Sequence, residues 1–444
     1  MGMEDNMKIL DKYNQSHLLA YKDQLTEEEI KKLENQIKSI DFDLIQSIFD
    51  NKDKVIDTKD NLVAPLVATK LNPQDKEHFF KKGLESIKEG EVAVVLMAGG
   101  QGTRLGHQGP KGTYDIGLPS HKSLFHLQAD KFLSLRALSG FSVKWYVMTS
   151  EDNHRETVDH FESSNYFNYG KENIHFFKQD RLPLVLENGQ IAMKSSHEIN
   201  LAANGNGGVF SSLHSNGLLE EMQSNGVKYV YLYGVDNAIA KIADPVFVGF
   251  TIDSGLDVAS KSVDKENPEE KVGVICYRDH HPDIVEYSEL PEDMRYKLDD
   301  EGKLLYRNGN IVSHIFTLDF LMDCVDKEIP YHTAYKKVDT YSDNGLIKAD
   351  NPNGYKFELF LFDVFKFTED MAVLSVTREE EFTPVKNKEG ADSPETARTM
   401  ILKTHHKWLT EAGFNCNLGY EVNTSISYDG ENLSNKTLEN VTFK

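Results

Sequence analysis

Cysteine is scarce in this chain of 444 residues: three occur, Cys276, Cys324 and Cys416, odd in number and far apart. Those spacings exclude a disulfide framework and a cysteine zinc site, and they fit reduced thiols in a cytosolic protein. Long apolar runs are missing too, and none approaches the roughly 20 residues that cross a bilayer. The first residues, Met1-Gly-Met-Glu-Asp-Asn6, are polar and acidic, unlike a signal peptide. The glycosylation triplets at Asn423, Asn435 and Asn440 therefore read as chance matches. Basic residues are outnumbered, 49 Lys and Arg against 71 Asp and Glu, for a formal net charge of −22. Such a surface repels nucleic acid and anionic membranes, so an anionic substrate must be drawn in by a local cationic pocket. Neither an internal repeat nor a low-complexity tract is present.

What is present is enough chain for two or three lobes. Residues up to about 88 read as helical. Thr26-Glu-Glu-Glu29 is a capping box, followed by a stripe of Ile30, Leu33, Ile37, Ile40 and Leu44 at helical spacing. Burial of that stripe against a neighbouring lobe is the expectation, ahead of a partner-binding face. Pro65 and Pro73 punctuate the stretch before a helix over 74–89. From 91 onward strands (92–97, 143–148, 174–177, 229–233, 271–277, 311–317) alternate with helices (124–138, 154–161), the pattern of an α/β protein with a parallel or mixed sheet. The segments 264–270 and 291–300 read as solvated loops. A helix over 396–412 leads to short polar strands around Asp429-Gly430. The expected division is a helical N-terminal lobe (1–90), a catalytic domain (91–380) and a small C-terminal lobe (381–444).

One segment concentrates the chemistry. The strand 92–97 is short, apolar and β-branched, and it breaks into Gly99, Gly100 and Gly102, whose lack of Cβ lets backbone N–H groups approach a ligand. Arg104 and Lys111 add two positive charges beside that loop, making a polyphosphate site. Two known phosphate loops are excluded. Gly100-Gln-Gly102-Thr-Arg-Leu105 lacks the third glycine of the dinucleotide fingerprint, and Lys111 follows Pro110 and precedes Gly112, unlike the lysine of a P-loop. The fixed φ of Pro110 is expected to hold Lys111 out of helical geometry.

The run Leu96-x-x-Gly99-Gly100-Gln101-Gly102-Thr103-Arg104-Leu105-Gly106-x-x-x-Pro110-Lys111 resembles the signature loop of the eukaryotic-type UDP-N-acetylhexosamine pyrophosphorylases. The resemblance continues in order through Gly205-Asn-Gly-Gly208, Val235-Asp-Asn237, Val285-Glu-Tyr-Ser-Glu289, Gly309-Asn310 and Phe382-Thr-Pro-Val-Lys-Asn387, covering roughly residues 90 to 430. It implies a Rossmann-like, glycosyltransferase-A-like mixed-sheet nucleotidyltransferase core. It also implies uridylyl transfer from UTP to N-acetylglucosamine 1-phosphate, with UTP binding first. Leu96, Ala98, Gly99, Gly100, Gly102 and Thr103 then bind the nucleotide, Gln179 reads the uracil edge, and Gly205 and Asn206 contact the nucleoside. The family's Ala-Met/Trp-Pro-like residues are replaced here by Asn200-Leu-Ala-Ala203, so the base-pocket wall differs. Gly273, Glu286, Tyr287 and Asn310 align with sugar-binding positions. Many members run longer at the C-terminus, so this chain is expected to be shortened there.

Such a transfer depends on positioning and charge, normally with Mg²⁺ or Mn²⁺. Arg104 and Lys111 are expected to grip the triphosphate, and Lys386 to reach a phosphate from a second lobe. Asp236, at the carboxyl end of a central strand, is the expected metal ligand; its rival role is a helix cap. A UDP-sugar pyrophosphorylase directed to glucose or galactose 1-phosphate, or to several sugar 1-phosphates, and a non-catalytic nucleotide-sugar sensor on the same fold stay open as alternatives. The sequence discloses no oligomeric state, and a monomer is the expectation.

Overall fold

The computed structural model describes residues 3–52 and 63–443. By contacts the chain divides into two units: Met1–Lys59, Gln179–Ser211 and Glu328–Asp363 form one, and Asp60–Lys178, Ser212–Lys327 and Val364–Lys444 the other. These boundaries interleave along the chain, unlike the linear division into 1–90, 91–380 and 381–444.

The larger unit is built on a ten-stranded mixed sheet. In chain order its strands are β1 (Val63–Pro65), β2 (Val92–Met97), β3 (Lys144–Thr149), β4 (Ile174–Lys178) and β5 (Tyr229–Gly234), then β6 (Val258–Asp264), β7 (Val274–Arg278), β8 (His281–Val285), β9 (Asn308–Thr317) and β10 (Ala372–Ser375). The main path runs β1-β7-β9-β5-β2-β3-β4, with β8 beside β7 and the β6–β10 pair joined to β9. Strands β5, β2, β3 and β4 are mutually parallel, and β9 runs antiparallel to β5. That parallel block explains the unbroken apolar run in β2: Val92 to Leu96 are all 2 % exposed or less, because both faces of the strand are covered. The expected alternation of strand and helix is therefore present.

The helices Pro73–Lys88, Leu124–Ser139, His154–Ser163 and Pro394–Glu411 lie within two residues of their expected bounds. Their signals are local: Asn72 caps Pro73, Ser123 accepts from the His126 N–H, and Gly140 ends its helix in the left-handed conformation. Three expectations are corrected. The stretch before residue 88 includes the edge strand β1, which pairs with β7. Asp429-Gly430 sits in a turn whose N–H groups at Tyr428 and Asp429 are taken by the Glu431 carboxylate, and the terminal strand pair is Glu421–Val422 with Thr442–Phe443. A side-chain cap there satisfies the backbone that a hairpin would otherwise pair. The 291–300 loop also contains one helical turn, Glu292–Arg295.

In the smaller unit the stripe is buried at Leu33 and Ile37 and half-buried at Ile30, Ile40 and Leu44. Leu33 and Ile37 pack with Phe42, Ile45 and Ile48 against Val185, Ile191, Met193, Ile199 and Phe357. Those partners come from the later segments of the same unit, which is why the contact boundaries interleave. The Thr26 capping box forms, with Thr26 and Glu29 exchanging hydrogen bonds.

In the larger unit the helices Pro73–Lys88 and Pro245–Ser254 meet at two glycines. A Cβ on Gly83 would strike the Pro245 carbonyl oxygen and lie 2.7 Å from the Gly249 nitrogen, and one on Gly249 would strike the Phe79 carbonyl. Gly249→Ala is expected to lower stability by about 1–3 kcal/mol, through overpacking that only separation of the helices relieves. Chemical denaturation of the variant beside the unsubstituted protein measures that loss.

Candidate active site

The glycine loop leaves the carboxyl end of β2 and folds back on itself. The Gly102 N–H donates to the Gly109 carbonyl at 3.0 Å and the Lys111 N–H to the Gly100 carbonyl at 3.1 Å, a bridge that fixes both ends of the loop. Asn153, at the start of the helix His154–Ser163, donates its amide to the carbonyls of Ala98 at 2.9 Å and Gly100 at 3.3 Å. The Asn153 amide thus buttresses the loop from the adjoining turn. Gly100 is exposed, and a Cβ there would meet nothing within 4 Å, whereas one on Gly102 would lie 2.8 Å from the His107 Cβ. Gly102 is required by the protein itself; Gly100 has no such reason within the described residues. Leu96 and Ala98 are buried, so their side chains pack in the core while the loop beyond them opens. Thr103 and Arg104 are exposed on a single 3₁₀ turn.

Pro110 is extended (φ −60°, ψ 136°), but Lys111 opens a 3₁₀ turn, Lys111–Thr113, contrary to expectation. A proline restrains its own φ and the residue before it, leaving the next residue free to turn. The turn is held by the Thr113 N–H and hydroxyl, both donating to the Pro110 carbonyl. It delivers the nearly buried Lys111 ammonium to within 2.6 Å of Asp236 Oδ1. Asp236 itself stands just past β5, with 42 % of its side chain exposed.

A third block closes on the same point. The Val385 N–H donates to the Asp236 carbonyl at 2.9 Å, and Asn237 donates its amide to the Glu381 carbonyl at 2.6 Å while accepting from the Thr383 N–H at 3.0 Å. Val235-Asp-Asn237 and Phe382-Thr-Pro-Val-Lys-Asn387 therefore lie side by side, which places half-buried Lys386 next along the chain. The aliphatic stem of Lys388 passes 3.9 Å from the Cβ position of Gly106 on the phosphate loop. Lys111 alone of the three predicted cations has an ion-pair partner among the described residues.

Three of the expected sugar residues converge in the same unit. The Asn310 N–H donates to the Gly273 carbonyl at 2.8 Å, and Glu286 Oε1 is 3.4 Å from where a Gly273 Cβ would stand. The buried Asn310 accepts through its side-chain oxygen from the Val312 N–H at 2.9 Å, which leaves that bond independent of its two amide hydrogens. Val312 holds φ at +54°, an unfavourable conformation for a β-branched residue. Burial and the neighbouring Glu289 carboxylate raise the pKa of Glu286, partly offset by the Lys386 ammonium. Tyr287 is exposed beside it.

Gln179, Gly205 and Asn206 belong to the smaller unit. Gly205 has φ +87°, and a Cβ there would strike the Leu359 carbonyl; the Leu359 N–H donates to the Asn204 carbonyl at 2.7 Å. Asn206 accepts from the Leu361 N–H at 3.0 Å. Gln179 is half-buried directly after β4 in sequence. Sequence reasoning missed Asn153 and Gly112, where a Cβ would strike the Phe125 ring. A loop asparagine carries no periodic signal, although Ser150-x-x-Asn153 before a helix is a capping pattern that could have found it.

A family model described as UTP–glucose-1-phosphate uridylyltransferase matches residues 24–424. A UDP-N-acetylglucosamine pyrophosphorylase of Saccharomyces cerevisiae is 42 % identical over 378 residues, 82 % of this chain and 79 % of that protein. A human UDP-N-acetylhexosamine pyrophosphorylase-like protein 1 is 42 % identical, covering 78 % of this chain and 71 % of that protein. Among solved structures, a Trypanosoma brucei UDP-N-acetylglucosamine pyrophosphorylase in complex with an inhibitor covers 98 % of this chain and 95 % of its own, with TM-score 0.84 and 29 % identity. A glycine loop clasped to the ends of two parallel strands, in a chain with these relatives, places the protein in the UTP–glucose-1-phosphate uridylyltransferase family, among its UDP-N-acetylglucosamine pyrophosphorylases.

Proposed function

We propose that this chain catalyses reversible uridylyl transfer from UTP to N-acetylglucosamine 1-phosphate, forming UDP-N-acetylglucosamine and pyrophosphate. The observation that carries the reading is the 2.6 Å contact between Lys111, at the end of the phosphate loop, and Asp236, past the central strand. A phosphate oxygen of the sugar attacks the UTP α-phosphorus in line, and the bond to the β-phosphate oxygen breaks as pyrophosphate leaves. The protein has no covalent step to perform, so its work is positioning and offsetting charge. Arg104 and Lys111 hold the triphosphate, with Lys111 meeting the charge that builds on the α-phosphate. Lys386 brings a further cation, and Glu286 and Asn310 accept from and donate to the sugar. On this reading Gln179 and the Gly205–Asn206 turn serve the nucleoside.

Mg²⁺, or Mn²⁺, fits the donor set at Asp236. Among the described residues no group of three or more His, Cys, Asp or Glu could hold a metal alone, and a single carboxylate suits an ion held mainly by phosphates and water. Such an ion, when bound, supplies charge neutralisation on the phosphate oxygens. The free thiols support a reducing, cytoplasmic setting. No helix among the described residues is long and apolar enough to cross a membrane.

Purified protein with UTP, Mg²⁺ and a panel of sugar 1-phosphates is expected to release pyrophosphate fastest with N-acetylglucosamine 1-phosphate. Equal turnover with glucose 1-phosphate defeats the sugar assignment, and no release with any sugar leaves a nucleotide-sugar sensor. Two glycine variants separate ligand approach from fold. Gly100→Ala should keep the melting temperature yet raise the UTP KM about tenfold, equivalent to about 1.4 kcal/mol of binding; Gly102→Ala should lower the melting temperature through its His107 clash. A third outcome concerns pH. Protonation removes the charge of Glu286 and turns one of its acceptor oxygens into a donor, and because burial and Glu289 raise its pKa above the ordinary value, affinity for the sugar phosphate is retained above that pKa and lost as pH falls through it. The KM for the sugar phosphate should rise on the acid side, and Glu286→Gln should remove the part of that rise owed to this carboxylate.

A further inference from the structure

Beneath the segment that carries Lys386 lies a group of charges that the transfer chemistry does not use. Lys261, on β6, is 1 % exposed, and its ammonium meets both Asp244 Oδ2, at 2.6 Å, and Glu381. Asp244 caps the helix Pro245–Ser254, its other oxygen accepting from the Val246 N–H. Lys241 interacts electrostatically with the same two carboxylates and pairs with Asp429 at 2.7 Å. The carboxylates hold both lysines charged against the burial that would neutralise them, and the two ammoniums draw Asp244 down.

The location is specific. Strands β6 and β9 pair on both sides of Lys261 but slip there, so that Ile311, Val312 and Ser313 face it alone. The slip leaves a small cavity lined in part by Asn237, Lys241, Val312, Ser313 and Glu381. Glu381 thus faces two ways. Its carboxylate is fixed to the sheet through Lys261, and its carbonyl is held by the Asn237 amide, one residue beyond Asp236. Removing one partner of a buried ion pair leaves an uncompensated charge that the structure must move to relieve.

We infer that Glu381 is a positioning residue: its buried pair with Lys261 sets the segment 381–387 so that Lys386 stands at the phosphates beside Lys111 and Asp236. The inference rests on the reading of Lys386 given above. Glu381 is buried with its carboxylate on Lys261, so its effect reaches the reaction through Lys386 and belongs to kcat more than to UTP binding.

A cycle of variants tests this, with pyrophosphate release and melting temperature read on each. Lys386→Ala should lower kcat about a hundredfold. Glu381→Gln should lower kcat about tenfold with the UTP KM within about twofold, and Glu381→Asp should recover part of the loss. In the Lys386→Ala background, Glu381→Gln should cost nothing further. Asp244→Asn, which leaves the Lys261–Glu381 contact, should lower the melting temperature at least as much yet keep kcat within about twofold. The inference is overturned if Glu381→Gln costs the same factor with and without Lys386, or if Asp244→Asn matches its loss of kcat. Should Glu381→Gln fail to fold, Glu381→Asp takes its place in the same cycle. Unchanged kcat in Lys386→Ala alone would refute the assignment of Lys386 itself.

Discussion

A cation taken almost wholly out of water needs a carboxylate within reach, and here Lys111 finds one 125 residues along the chain at Asp236. That contact ties the far end of the glycine loop to the far end of β5. It requires β2 and β5 to lie side by side, which the parallel pairing of Tyr229–Gly234 with Val92–Met97 provides in matched register. It requires the loop to turn back on itself, which Gly102 and the Gly100–Lys111 hydrogen bond allow. The position is also where open α/β sheets bind ligands, outside the carboxyl ends of the strands.

Around the pair the larger unit has put its polar groups where charge will arrive and its apolar groups elsewhere. Asn153 spends its amide on loop carbonyls, and Asn237 spends its own on the strap that bears Lys386. The acidic surface, with its formal charge of −22, makes this cluster of cations a local exception. An anionic substrate is attracted close to the loop, where Arg104, Lys386 and Lys388 add their charge. Below, the buried Lys261–Glu381–Asp244 group gives the strap a fixed footing without exposing more charge to solvent.

Much of this was legible in the sequence because its signals are local. The apolar run of β2, the serine and asparagine caps, and the Thr26 capping box each declare an element by themselves, and the helix bounds fell within two residues. Motif order carried the family. What escaped was non-local. The stripe of Leu33 and Ile37 reads as buried, but nothing near it says that Val185, Ile199 and Phe357 cover it. The Lys111 turn was misread because proline constrains the residue before it, not the one after. Lys261 carried no signal in the sequence, where no strand was expected over 258–264, and only the slip of β6 against β9 and the contacts beside it reveal its two carboxylates.

The central claim is that Lys111 serves the transition state and not merely the fold. The rate of pyrophosphate release by Lys111→Ala at saturating UTP and N-acetylglucosamine 1-phosphate tests it most directly. A loss of about a hundredfold, equivalent to about 3 kcal/mol, is the predicted result when the melting temperature shows the protein still folded. Turnover near that of the unsubstituted protein under the same conditions would contradict the account.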